Sequence, residues 1–195
     1  MTWQITRALA PLPSLALRAL VGGARPDDFH DAYVVTEAGT PRWQALVHWG
    51  KHAPVPFREE CVWPGAGVVA IGGGATAHFL GTADGEPRGS LDVPDHFGHL
   101  ALDAGEPGVR AEALYVLGWR HAYAVGPDLR TRWRARDLAV DGIVWRTAKG
   151  PKLYLNAEMD PPGGWFEVEL EAATGRELTR RPDFLEGYAG IYGSA

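Results

Sequence analysis

The chain of 195 residues is short of several things, and each shortage excludes a class of protein. It has one cysteine, Cys61, so neither an internal disulfide nor a thiolate metal cluster can form, and a reduced compartment suits it. Lysine is confined to Lys51, Lys149 and Lys152, and acids outnumber bases by 24 to 19, for a formal net charge of −5. Phosphate binding draws its affinity from a basic face and counterion release, so this balance argues against general nucleic-acid binding. Serine stands only at Ser14, Ser90 and Ser194, none of them in a Gly-x-Ser-x-Gly elbow. No stretch approaches the roughly 20 apolar residues that cross a bilayer. Pro11, Pro13 and Arg18 interrupt the fairly apolar residues 8 to 24 before they reach the length of a secretory signal. These absences together point to a cytoplasmic protein without membrane contact.

What is present is a mixture of 8 tryptophans, 25 glycines and 15 prolines. Aromatics suit pleated sheets, while Gly and Pro punctuate turns, so many short strands are expected. The length fits one domain, 1–195, with a core that needs no staples. Ser14 reads as the N-cap of one short N-terminal helix reaching about Val21 and ended by Gly22-Gly23. Its buried face would be Leu15, Ala19 and Leu20. Ala32 to Thr36 and Trp43 to Trp49 read as strands, and residues 50 to 60 as a long loop. Residues 1–60 thus form a helix-and-strand region, and 61–195 about three blade-like units.

Those units show a weak internal repeat. Strand-like runs Val68 to Ile71 and Thr76 to Leu80 lead to a turn at Asp84-Gly85-Glu86. Leu114 to Leu117 and Ala122 to Val125 lead to a turn around Asp128, and Trp165 to Leu170 leads to Ala173-Thr174-Gly175-Arg176. A further strand follows each turn: Gly89 to Val93, Thr131 to Ala135, and Glu177 to Arg180. A period of 40 to 50 residues made of short strands is what propeller blades give. The segments Ala113-Leu-Tyr-Val-Leu-Gly-Trp119 and Asp128-Leu-Arg-Thr-Arg-Trp133 resemble the blade repeats of bacterial quinoprotein-like and WD-type β-propellers, over roughly residues 62–180. The Gly-His and Trp-Asp dipeptides of WD repeats are missing in register, so the resemblance implies no cofactor. The expected fold is mainly β: antiparallel hairpins in a sandwich or curved sheet, or in a small propeller-like array, with the one N-terminal helix.

Few constellations could carry chemistry. Asp92-Val-Pro-Asp95-His96-Phe-Gly-His99-Leu-Ala-Leu-Asp103 holds two imidazoles among carboxylates, a donor set that suits zinc, and Asp95, His96 and His99 are the candidate ligands. On a strand His96 and His99 would lie on opposite faces, so a shared metal would need a turn. His48 and His52 have helical spacing but flank Trp49-Gly50-Lys51, which reads as a loop. Gly72-Gly73-Gly74 is followed by a strand-like run, which makes it a hairpin turn or bulge in place of a phosphate cradle. Cys61, beside Val62-Trp63, reads as a packed thiol. Glu158 and Asp160, beside the rigid Pro161-Pro162-Gly163-Gly164 turn, are an acid–base pair that a hydrolase could use. Arg130, Arg132 and Arg134 alternate with Thr131 and Trp133, so a strand would present the arginines as a stripe from one face.

With no catalytic motif, the sequence reads as a non-catalytic protein-binding module. Its composition, rich in Arg, Ala, Gly and Pro, suggests a bacterial source, and a bacterial immunity-type protein that masks a toxin is one form of this reading. The candidate partner contacts are Arg130, Arg132, Arg134, Trp49 and Trp119, since interfaces favour Trp and Arg anchors. A metal-binding, small-molecule-binding or hydrolytic protein using Asp92–Asp103 or Glu158/Asp160 is the alternative.

Overall fold

Short apolar runs separated by Gly and Pro leave no room for a long helix, and the protein is built of strands. The computed structural model describes residues 2–52, 55–159 and 164–183. The strands are β1 Trp3–Ala8, β2 Leu17–Val21, β3 Asp31–Glu37, β4 Thr40–Val47, β5 Arg58–Trp63, β6 Val68–Gly73, β7 Thr76–Gly81 and β8 Pro87–Asp92. Then come β9 Phe97–Asp103, β10 Ala113–Gly118, β11 Ala122–Val125, β12 Thr131–Ala135, β13 Gly142–Lys149, β14 Lys152–Glu158, β15 Trp165–Glu171 and β16 Glu177–Pro182. Single 3-10 turns occupy Gly50–His52 and Pro64–Ala66. Among the described residues, no helix is long and apolar enough to cross a membrane.

The strands make four four-stranded sheets, ordered β1-β3-β4-β2, β5-β6-β7-β8, β9-β10-β11-β12 and β13-β14-β15-β16. The mainly β, blade-like expectation is met, and the first sheet shows that residues 3–47 form a blade-like unit of their own. Two local expectations are corrected. The N-terminal helix is absent: Leu17–Val21 is a strand parallel to β4, pairing Leu20 with Leu46 and Val21 with Val47. Its burial alternates, Ala19 and Val21 inward and Leu20 outward, which is the period of a strand. Residues 50 to 60 are not all loop, because Arg58–Trp63 pairs with β6 along its whole length.

The aligned turns share one construction. Gly81 N–H reaches Glu86 O, Gly126 N–H reaches Arg130 O, and Glu171 N–H reaches Arg176 O, each within 2.9 Å. A side-chain oxygen then braces the next backbone: Asp84 accepts from Glu86 N–H (3.0 Å), Asp128 from Arg130 N–H (3.2 Å) and Thr174 from Arg176 N–H (3.2 Å). These are the Asx and Ser/Thr turns that such residues favour. Next to each turn, and in the first sheet as well, the ladder slips by one residue. The extra residue is Arg42 in β4, Arg88 in β8, Arg132 in β12 and Leu178 in β16. A β-bulge re-aims its unpaired residue; further slips fall at Arg18 in β2 and Arg146 in β13.

The chain divides into two compact units, Met1–Leu100 and Ala101–Ala195. The N-terminal unit packs Tyr33, Val35, Trp43, Val47, Trp49, Val69, Ile71 and Leu80 together. Its glycine triplet is a hairpin turn, as expected, with Gly74 at φ 58°. The other two glycines are needed for space: a Cβ on Gly72 would fall 2.1 Å from the Phe97 ring and one on Gly73 2.9 Å from Trp49. The C-terminal unit packs Tyr115, Leu117, Trp133, Leu138, Ile143, Leu153, Leu155, Val168 and Leu170. In each unit one indole links the two sheets. Trp43 donates to Thr82 O (2.8 Å) and Trp133 to Ala172 O (2.9 Å), each across 39 positions.

Candidate binding cavity of the C-terminal unit

The bulge in β12 decides where the arginine stripe points. Trp133 faces the core opposite Ala124, and Thr131 pairs with Val125, leaving Arg132 as the residue without a ladder partner. Arg132 turns to the wall of a cavity of ≈250 Å³, which it lines with Arg110, Tyr115 and a run of alanines at 111, 113, 124, 172 and 173. Tyr115 is held by aromatic neighbours, stacked on Trp145 with centroids 5.0 Å apart and tilted against Trp133 at 5.9 Å. Burial, with help from the Asp103 charge, pushes its phenol up to about 12, so it stays a neutral hydroxyl.

The two cavity arginines are in different states. Arg110 is half-buried and fully engaged. It donates to Asp103 twice, from Nε (2.5 Å) and Nη2 (3.0 Å), and from Nη1 to Gly150 O (2.7 Å). Glu106 adds an ion pair at 3.2 Å. Arg110 is therefore a rigid, charge-balanced part of the wall. Arg132 is exposed, and its Nε lies with the Asp128 carboxylate over Gly126, where an added Cβ would sit 2.8 and 2.7 Å from the two. An exposed arginine beside an aromatic ring and small apolar walls has the chemistry to pair with an anionic group.

The other sequence candidates are placed as follows. Arg130 is exposed in the Asp128 turn, and Arg134 is half-buried with its guanidinium 5.2 Å over the Tyr123 ring. The stripe is thus divided: Arg132 serves the cavity, while Arg134 is used by Tyr123. Trp119 is half-buried just after β10. Trp49 is buried in the core of the N-terminal unit, where its indole donates to Asp31 (2.6 Å) beside Arg58, which bonds the same carboxylate. Asp95, His96 and His99 do not converge. His96 sits exposed at φ 77°, whereas His99 Nδ1 meets Glu59 at 2.7 Å. Among the described residues no three His, Cys, Asp or Glu side chains come together to hold a metal. Asp103 is spent on Arg110. His48 packs against His30 with the rings tilted and their centroids 4.1 Å apart. Burial raises the Glu158 carboxyl, Asp141 adding to it; Asp160 and the Pro161-Pro162-Gly163 segment lie outside the described residues. Burial pushes the Cys61 thiol up to about 12, as befits a packed cysteine.

Sequence reasoning missed Arg110 and Tyr115, whose roles depend on pairing across the sheet. One signal for the cavity does lie in the sequence. Ala32-Tyr33-x-Val35 recurs as Ala122-Tyr123-x-Val125, and Arg42-Trp43 as Arg132-Trp133; Leu80, Ala83 and Gly85 recur as Leu170, Ala173 and Gly175. Every pair is 90 positions apart, twice the period of a single blade-like unit.

No family model and no curated protein matches the chain. Among solved structures it is similar to BamB from Moraxella catarrhalis, with a TM-score of 0.54 and 14% identity over 93% of this chain. The blades are those of a β-propeller fold. The chain spans 52% of that BamB chain. It is also similar to the Pan2 WD40 domain of Neurospora crassa, at TM-score 0.48 and 10% identity, covering 67% of this chain and 39% of the other.

Proposed function

We propose that the protein is a non-catalytic binding module that docks a protein partner through the C-terminal unit, with Arg132 and its cavity at the centre of the contact. The observation that carries this is the state of Arg132: an exposed guanidinium re-aimed by a bulge, next to a pocket lined by Tyr115 and small apolar side chains. Arginine beside aromatic and small apolar surface is the composition of an interface anchor. The titratable groups singled out from the sequence support binding over catalysis, since Asp103 and His99 are each committed to an internal partner.

The test compares tagged wild type with Arg132→Glu for retention of the stoichiometric partner from the native host. The charge reversal is expected to lower affinity at least tenfold while circular dichroism and melting stay unchanged, since the side chain is exposed. Full retention by Arg132→Glu would sink the reading. Its narrower form, a bacterial immunity-type protein, adds that the partner is a toxin. Co-expression with that partner should then protect host cells, and Arg132→Glu should not.

A further inference from the structure

The strand after each of the three aligned turns, β8, β12 and β16, is the last of its sheet, and among the described residues no further strand pairs with its outer side. Such an edge leaves alternate backbone N–H and C=O groups free to take another strand. Two of the three are blunted. β8 opens on Pro87, its Arg88 pairs with Asp84, and Glu86 and Asp92 leave the stretch acidic. β16 closes on Pro182, and both its arginines are bonded to glutamates, Arg180 to Glu177 (2.7 Å) and Arg181 to Glu169 (2.9 Å). β12 contains neither Pro nor Gly, so every residue in it has an N–H to offer. With the residues on either side it holds Arg130, Arg132, Arg134 and Arg136 against one acid, Asp128. The next acid along, Asp137, is bonded to Arg120 (2.7 Å). The neighbouring β11, Ala-Tyr-Ala-Val, adds no charge, and the Tyr123 ring beneath Arg134 positions that guanidinium without neutralising it.

We infer that β12 is extended by an acidic strand: a segment of the protein partner, with carboxylates at alternate positions, adds along its free edge. This rests on the docking reading above and names the segment that docks. Main-chain hydrogen bonds along a sheet edge give affinity, and the side chains choose the sequence. Opposite charges across a strand pair stabilise it, and like charges oppose it. The arginine-lined edge therefore admits an acidic strand and repels a second copy of β12. The charges that guard the edge against self-association are the ones that select the partner. The alternation of the partner segment follows from that of β12. Trp133 and Ala135 are buried on one face, and Arg134 between them lies on the other. Every second residue of an added strand thus falls on the arginine side.

The test is NMR titration of the full chain, isotopically labelled, with the peptide acetyl-Thr-Glu-Val-Glu-Thr-Glu-amide as probe. The comparison arms are the same peptide with glutamine for glutamate, two versions N-methylated on alternate residues, and oligothymidylate. The expected result is saturable binding of the glutamate peptide, with slowed amide exchange at alternate residues of Thr131–Ala135. One methylated version keeps its donors toward β12 and should bind, while the other loses them and should not. The double variant Arg130→Glu, Arg136→Glu changes two exposed side chains and should weaken binding at least tenfold with melting unchanged. Arg88→Gln, on the edge of another sheet, should leave binding as it is. Equal binding of the glutamine peptide, methylated versions that bind alike, or binding that survives the double variant would overturn the assignment. Binding of oligothymidylate in place of the peptide would overturn it too, by making the stripe a phosphate contact. The two readings separate cleanly. If Arg132→Glu loses its partner but the peptide leaves the β12 amides unprotected, docking stands and strand addition falls. If the peptide protects them and Arg132→Glu keeps its partner, the edge site stands and docking through Arg132 falls.

Discussion

His78 lies in the middle of β7, paired with Ile71 and flanked by Ser90, with its ring 6.1 Å from that of Trp49. Burial lowers its affinity for a proton, only partly offset by Asp92. A histidine whose folded value is depressed is protonated first in the unfolded chain. Its contribution to stability is therefore complete above the ordinary value of 6.5 and declines as pH falls below it. Urea midpoints measured at pH 7.5 and 5.5 should show a larger acid-side drop for wild type than for His78→Gln. Equal drops would mean that the imidazole is not held neutral. The same logic distinguishes residues that act from residues that pack. The Cys61 thiol, pushed up by burial, and the Tyr33 phenol, raised by burial and the nearby Asp31, are kept in their neutral forms. Arg132 differs from both, an exposed permanent charge on a fixed backbone position.

At the scale of elements, the repeated turn-and-bulge is what converts sequence into a site. Gly175 shows how little tolerance it has. Its φ is 70°, and a Cβ there would lie 2.4 Å from the Trp133 ring whose indole holds Ala172 O. Gly175→Ala combines left-handed strain with overpacking against a buried indole and should cost about 2–3 kcal/mol. A denaturant titration with unchanged slope would show it as a lower midpoint. Gly39→Ala, at φ 80° but with open space around it, should lose only the strain, about 1 kcal/mol. Equal losses would mean that Trp133 does not press on the turn. Much of this was legible from residues alone: the turns at Asp84, Asp128 and Thr174 and the strands after them stand where composition and spacing put them. The stretch from Ser14 to Val21 was misread because Leu15, Ala19 and Leu20 fit a helical stripe. Pairing with β4 imposes period two instead, and propensity does not report pairing. The cavity was half legible. The arginine stripe is local and visible, but the slip that separates Arg132 from Arg134 is a property of two strands, and the Arg110–Asp103 lock closes across seven positions with a buried geometry that no spacing rule specifies.

At the scale of the whole chain, the dominant fact is repetition: four four-stranded sheets, and in each of the two compact units an indole latch spanning 39 positions. The same bulged arginine is paired with Glu37 in the N-terminal unit, while in the C-terminal unit it lies beside Asp128 over Gly126 and lines the cavity. A net charge of −5 does not prevent a locally basic contact, because specificity depends on the few groups at the interface and not on the sum. The account therefore predicts one docking face, not two. The most direct test is hydrogen–deuterium exchange of the full chain, alone and with its co-purified partner. Protection confined to residues 109–113, 126–134 and 172–176 is the expected result. Protection centred on residues 37–43 and 83–86, or none in the C-terminal unit, would contradict it.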